Sequence, residues 1–404
     1  MAGAPGLAIA LAAAGLLAGP IDACALDGGR FTPFVEARVG YDDNLFRISN
    51  DLDPATAIGS SSKADIYRRT SLGFDLDLAL SRQRLRAGVA WNDTRYQRFA
   101  DASFTGRDLH ATWLWRLGDR LQGRLGHTET TALASFAFIQ ARTPDVLDTR
   151  QTFWDANYLL APRWQAEAGL SRVEQTNRDP AHRSSDIRIV GGESTLSFVS
   201  RARNSIGLRV HAEDGRFPNL EPVGGTLVDN AYRQTGADLV VDWTLTGASH
   251  VTGRIGRVSR RYGQLPQRDF SGDTARAEYQ WKPTGKLSLS AIFERDLSAY
   301  ADIRSNFVLV KGITLRPSLR LSDKTVLSAS LESSALDYLG DPGLAAAAAS
   351  GRVDRVRAAG VSLSYRPTRA ATLQLSARRE RRTSNTPLAD YLANGVFGSL
   401  RLAF

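Results

Sequence analysis

Over residues 71–80, Leu72, Phe74, Leu76, Leu78 and Leu80 share one parity, and Gly73, Asp75, Asp77 and Ala79 take the other. A strand sends successive side chains to opposite faces, whereas a helix would scatter both sets around its axis. The pattern recurs. Leu109, Ala111, Trp113, Trp115 and Leu117 stand against His110, Thr112 and Arg116. Thr235, Ala237, Leu239, Val241, Trp243 and Leu245 stand against Gly236, Asp238 and Asp242. Each segment has an apolar side and a polar side.

The connections alternate in length. Short polar turns fall near 81–83, 118–120, 161–162, 201–203, 246–248, 283–285, 322–324 and 366–368. Longer loops fall at 42–65, 97–107, 131–148, 175–186, 214–231, 262–272, 297–306, 333–352 and 383–393. These punctuation points divide the chain into about 18 strands, with 16–20 defensible, of about 9–12 residues each, the length that crosses an outer membrane at a tilt. The predicted fold is all-β: a transmembrane antiparallel β-barrel with short periplasmic turns and long extracellular loops. A sheet in lipid must close on itself, because hydrocarbon offers its edges no hydrogen-bond partners. A soluble propeller has a similar repeat length but packs four short strands into each blade, where this chain has two long ones.

Aromatic placement agrees. Trp113, Trp115, Trp164, Trp243, Trp281 and Tyr365 all lie beside short turns on the apolar parity. Indole and phenol favour the boundary between hydrocarbon and water, so these six predict a periplasmic girdle. The chain ends on an alternating strand in which Val396, Gly398, Leu400, Leu402 and Phe404 face outward. The terminal aromatic resembles the signal read by barrel-assembly machinery, so that machinery is an expected partner through Phe404.

The N-terminus changes the setting. Residues 7–17 are apolar, Gly19 and Pro20 break the run, and Ala23, Cys24 and Ala25 supply a small-x-small cleavage site. Residues 1–25 read as a secretory signal, which leaves 26–404 as the barrel. Cys24 is the only cysteine, so cleavage after Ala25 leaves no thiol for disulfides. The rival reading is an acylated lipoprotein cysteine, but Asp22 sits where such a box takes a small or apolar residue.

Residues 34–47 carry a motif: Tyr41, Asp42, Asp43 and Asn44, followed by a hydrophobic residue and Arg47. It resembles the first-strand ending of EpsL-type outer-membrane proteins of exopolysaccharide biosynthesis, found in exosortase-associated loci. That resemblance implies a barrel of about this length that takes part in passing a secreted polysaccharide across the Gram-negative outer membrane. It also implies a periplasmic export component as partner.

Charge adds a second line. The formal net charge is +9, carried mostly by arginine, although the mean hydropathy is only −0.25. For an exported protein this favours outer-membrane lipid and lipopolysaccharide, or an anionic solute or polysaccharide, over nucleic acid. Alternation places Arg38, Arg86, Arg116, Arg124, Arg209, Arg254, Arg276, Arg378 and Arg401 in the lumen. Glu36, Asp75, Asp77, Glu213, Asp238, Glu278 and Glu380 face in with them. An excess of guanidinium over carboxylate predicts anion preference and an acidic cargo; full pairing would merely solvate the lumen.

No catalytic or cofactor chemistry is predicted. His110, His127, His182, His211 and His250 are scattered, and no metal-ligand spacing, nucleophile elbow or phosphate-binding loop occurs. Asp42, Asp43 and Asn44 offer oxygens to a calcium ion, but an Asx-rich turn explains them more simply. The expected function is therefore an outer-membrane channel in polysaccharide export. The alternatives are an anion-selective diffusion porin and a structural or enzymatic barrel with a filled lumen.

Overall fold

The computed structural model describes residues 30–223, 225–302, 305–339 and 351–404. The expected signal at 1–25, with Cys24, lies outside the described residues. The first nine strands are β1 (Arg30–Asp42), β2 (Asp65–Leu80), β3 (Gln83–Tyr96), β4 (Phe104–Leu117), β5 (Leu121–Leu133), β6 (Val146–Ala161), β7 (Trp164–Asn177), β8 (Ile187–Val199) and β9 (Ser205–Arg216). A small hairpin, β10 (Glu221–Val223) and β11 (Thr226–Val228), sits in the following loop. The wall resumes with β12 (Tyr232–Thr246), β13 (Ser249–Tyr262), β14 (Phe270–Trp281), β15 (Leu287–Asp302), β16 (Ser305–Ser322), β17 (Thr325–Tyr338), β18 (Val353–Tyr365), β19 (Ala371–Ser384) and β20 (Tyr391–Ala403).

These form one 18-stranded antiparallel sheet. Each strand pairs with its neighbour in the chain, and β9 pairs with β12 across the hairpin. The ring closes where β1 pairs with β20, from Phe34 opposite Ala403 to Asp42 opposite Gly395. Closure satisfies the two edges that an open sheet would leave in lipid, where each unpaired backbone group costs several kcal/mol. No helix among the described residues is long and apolar enough to cross a membrane; the wall crosses with strands.

Register and exposure together separate the two faces. Val35, Leu72, Leu170, Leu208, Ile255, Phe293, Leu331, Val361 and Leu375 are exposed apolar residues that share the outward parity. Among the expected girdle, Trp113, Trp164, Trp243, Trp281 and Tyr365 are exposed on this face beside the short turns. Trp115 shares the parity but lies over Gly123, where a Cβ would come within 2.4 Å of its ring.

The strands are longer than the sequence pattern suggests. They run from 12 residues in β9 and β14 to 18 in β16, and the surplus lies toward the long loops. The expected loop 131–148 shrinks to the stretch between Leu133 and Val146, and 383–393 to that between Ser384 and Tyr391. The expected loop 297–306 is mostly the upper parts of β15 and β16. The reason is chemical. Near the loops the outward positions stop being apolar and become charged, as at Arg107 opposite Trp91, Arg150 opposite Glu129 and Arg357 opposite Arg381. Hydrophobic alternation ends there, although backbone pairing does not. The alanine run Ala345–Ala349 lies outside the described residues.

Leu331 sits at mid-wall and faces outward. Leu331→Arg is expected to lower unfolding stability in lipid vesicles by about 2–4 kcal/mol, the cost of a guanidinium near the bilayer midplane. Arginine in place of its inward neighbour Ser330 should cost much less. Urea titration followed by tryptophan fluorescence measures both.

Candidate functional site

The polar face of the wall encloses the lumen, and the predicted arginines share its parity. Arg38 lies 3.2 Å from Glu36, Arg86 3.6 Å from Asp77 and Arg124 2.7 Å from Asp155. Arg209 donates to Asp238 at 2.9 Å and reaches Glu193 at 3.2 Å. Arg254 pairs with Asp296, and Arg276 lies 2.7 Å from Glu294. Arg378 meets Glu380 at 2.7 Å, and Arg401 meets Asp75 at 2.8 Å. Among the described residues, Arg116 alone of the nine has no carboxylate partner; it donates to Gln122 Oε1 at 3.0 Å.

The expected surplus of arginine in the lumen is therefore corrected. Carboxylates that the sequence reading did not place inside, such as Asp155, Glu193, Glu294 and Asp296, are cross-strand partners of the arginines. Alternation was a sufficient signal for them, since each has the inward parity of its strand. Further inward arginines also escaped the reading. Arg260 and Arg382 lie at strand ends, just before the expected loops 262–272 and 383–393, and both are almost wholly buried. Arg260 stacks on Tyr232, 4.0 Å from the ring centroid, and Arg382 lies 3.5 Å from Asp354. Arg316 and Arg320 face the lumen from β16, are exposed, and have no carboxylate within salt-bridge distance among the described residues.

The mouth is built from loops. The Tyr41–Arg47 motif acts as a tie. Arg47 grips both Asp42 oxygens at 2.9 Å, and Asn44 donates to the carbonyls of Ile48 and Leu392. Asp43 accepts from the backbone and side-chain nitrogens of Asn394 at 2.7 Å. The motif thus fastens the first loop to β20, while Tyr41 faces outward. Burial alone would lower the Arg47 guanidinium; the charge and hydrogen bonds of Asp42 overcome this and hold it above its ordinary value. Among the described residues no three His, Cys, Asp or Glu side chains gather in a metal-holding group.

Above this tie the loops interlock. Phe46, on the first loop, meets Phe99 and Phe136 edge-on with centroids 4.7 Å apart. Phe136 opens a short helix, Phe136–Ile139, and the next residue, Gln140, donates to the carbonyls of Arg47 and Ala389. Arg382 reaches across to the Ala137 carbonyl. The helix also lies against β15. It follows β5, and β15 stands nearly opposite β5 in the ring, so this segment crosses the mouth. Farther along the same loop, burial pushes the Asp145 carboxyl up despite the backbone N–H of Asp179 and nearby His182.

The model of the family described as "Putative beta-barrel porin 2" matches residues 220–404. No curated protein matches the chain in sequence. Among solved structures, Pseudomonas aeruginosa OpdK with vanillate is 11% identical with a TM-score of 0.51, covering 93% of this chain and 99% of that one. Pseudomonas aeruginosa OccK2 (OpdF) is likewise 11% identical with a TM-score of 0.51, covering 93% and 98%. The fold is that of these barrels, and the chain is a β-barrel of the Gram-negative outer membrane. The expected EpsL-type identity, and with it a role in polysaccharide export, is corrected. The matching family model is a porin model, the similar solved barrels are of another kind, the motif is a loop fastening, and a loop crosses the mouth a polymer would need.

Among the nine predicted arginines, Arg209 forms the most deeply buried pair, with Asp238, their side chains 9% and 1% exposed. Asp238→Ala strands the guanidinium, and Glu193 compensates only in part. The expected loss is about 3 kcal/mol, the low end of the range for breaking a buried pair. The urea midpoint of the variant in vesicles reads it.

Proposed function

We propose that the barrel is a diffusion channel for small anionic solutes across the outer membrane. The observation that carries this reading is the state of the lumen charges. Most guanidiniums there are neutralised by cross-strand carboxylates, while Arg116, Arg316 and Arg320 stay exposed with no carboxylate within salt-bridge distance among the described residues. A paired wall keeps the lumen wet without holding a solute tightly, and a few free cations bias passage toward anions. The loop across the mouth fits small cargo. The porin family model over residues 220–404 supports the same reading, as does the fold shared with a barrel crystallised with vanillate.

Planar-bilayer reversal potentials in a salt gradient test it. The wild type should favour chloride over potassium, and changing Arg116, Arg316 and Arg320 together to glutamine should shift the potential toward zero or reverse it. Cation preference in the wild type contradicts the reading. Replacing Phe136–Ile139 by a Gly-Ser linker should raise single-channel conductance while leaving the sign of the selectivity unchanged.

A filled barrel is the second reading, favoured by the interlocked loops of the mouth. It predicts no swelling of liposomes in small charged or neutral solutes, whereas the channel predicts swelling.

A further inference from the structure

The outward face carries its own pattern of charge. Toward the short turns it ends in tryptophan and tyrosine; toward the loops, where a second aromatic girdle would be usual, Tyr41 and Trp91 are outnumbered by charged side chains, arginine foremost. On β6–β8 these arginines are offset. Glu174, for example, lies 2.5 Å from Arg172 and 2.6 Å from Arg188. On β18 and β19 they are not. Arg355, Arg357, Arg379 and Arg381 are all exposed and share the outward parity with Val361, Tyr365 and Leu375. Arg357 stands directly opposite Arg381, and Arg379 opposite Ala359.

None of the four has a carboxylate partner among the described residues. The outward positions of the flanking strands are Ser333 and Ala335 on one side and Leu392 and Asn394 on the other. The acids that border that face are held elsewhere: Asp337 by Lys311 at 2.7 Å, and Asp43 by the backbone and side-chain nitrogens of Asn394 at 2.7 Å. Like charges directly opposite on a sheet repel, so this cluster lacks a counter-charge. Its backbone is nonetheless firmly held: on the inward side of the same strands, buried Asp354 binds Arg352 at 2.7 Å and Arg382 at 3.5 Å.

Depth identifies the counter-charge. Arg357 lies eight residues from Tyr365 along β18. At ~3.3 Å per residue and a tilt of about 40°, that places Arg357 roughly 20 Å, and Arg355 roughly 25 Å, above the aromatic girdle. The apolar band of such a barrel is about 25 Å tall, so Arg355 lies at its far edge, Arg357 and Arg381 about 5 Å below that edge, and Arg379, opposite Ala359, about 10 Å below it; the long arginine stems carry the guanidiniums up to the outer-leaflet headgroups. The anions at that level are the phosphates of the leaflet's glycolipid. Guanidinium matches phosphate with two-pronged, charge-assisted hydrogen bonds.

We propose that Arg355, Arg357, Arg379 and Arg381 form a binding site for the phosphorylated glucosamine headgroup of outer-leaflet lipopolysaccharide. The site is independent of what passes through the lumen.

Native mass spectrometry of the detergent-solubilised barrel, titrated with bis-phosphoryl lipid A, dephosphorylated lipid A and phosphatidylglycerol, tests it. The wild type should bind bis-phosphoryl lipid A most tightly. The Arg357→Gln, Arg381→Gln double variant should bind it about tenfold or more weakly, as the loss of several charge-assisted hydrogen bonds implies. Arg172→Gln, on the offset side, should leave this affinity unchanged. Equal affinity in the wild type and the double variant overturns the proposal. So does equal weakening by Arg172→Gln, or phosphatidylglycerol binding as tightly as lipid A. If the double variant does not fold, the wild type alone decides: equal binding of phosphorylated and dephosphorylated lipid A overturns the site.

Discussion

Hydrocarbon has no hydrogen bonds to give, and that constraint shapes this chain from end to end. Every backbone N–H and C=O within the bilayer must find its partner in the sheet, so the first strand has to meet the last. The pairing of β1 with β20 removes the final edge. Once the ring is closed, a side chain's neighbours on the strand are in a different solvent from its own. Leucine and valine on one parity and arginine and aspartate on the other follow directly.

That constraint also explains what could be read from the sequence. The apolar band, the number of strands and the inward parity of Arg38, Arg124 or Arg401 are all consequences of alternation, and all were legible. Strand length was not. Above the band the outward side chains meet headgroups and water, so Arg107, Asp148 and Asp337 look like loop residues although their backbones remain in the ladder. The pairings in the lumen were hidden for another reason. Which carboxylate meets which guanidinium depends on register between strands, and one strand's pattern carries no information about its neighbour's offset. The Asp42–Arg47 motif was visible as a motif, but its use was not, because its partners Leu392 and Asn394 lie some 350 positions away.

Charge is distributed by the same logic. The chain is strongly basic overall, and the sequence pattern suggested that the surplus lines the lumen. In the structure the lumen is close to balanced, and the uncompensated arginines gather on the outer rim and at a few wall positions such as Arg116, Arg316 and Arg320. A net charge says how many ions of one sign a protein carries; only the fold says which solvent they face. Here it separates a wet, mostly neutralised path for solutes from a cationic collar for the membrane.

Cysteine scanning of β18 from residue 353 to 365, in vesicles, tests the central claim most directly. Each position is probed with one water-soluble and one membrane-confined thiol reagent. The account predicts strict alternation from 359 to 365, with 359, 361, 363 and 365 reached from lipid. Alternation should give way at 355 and 357, where both faces meet water or headgroups. Lipid-type labelling that continues to 355, or labelling without a two-residue period anywhere along the strand, would contradict it.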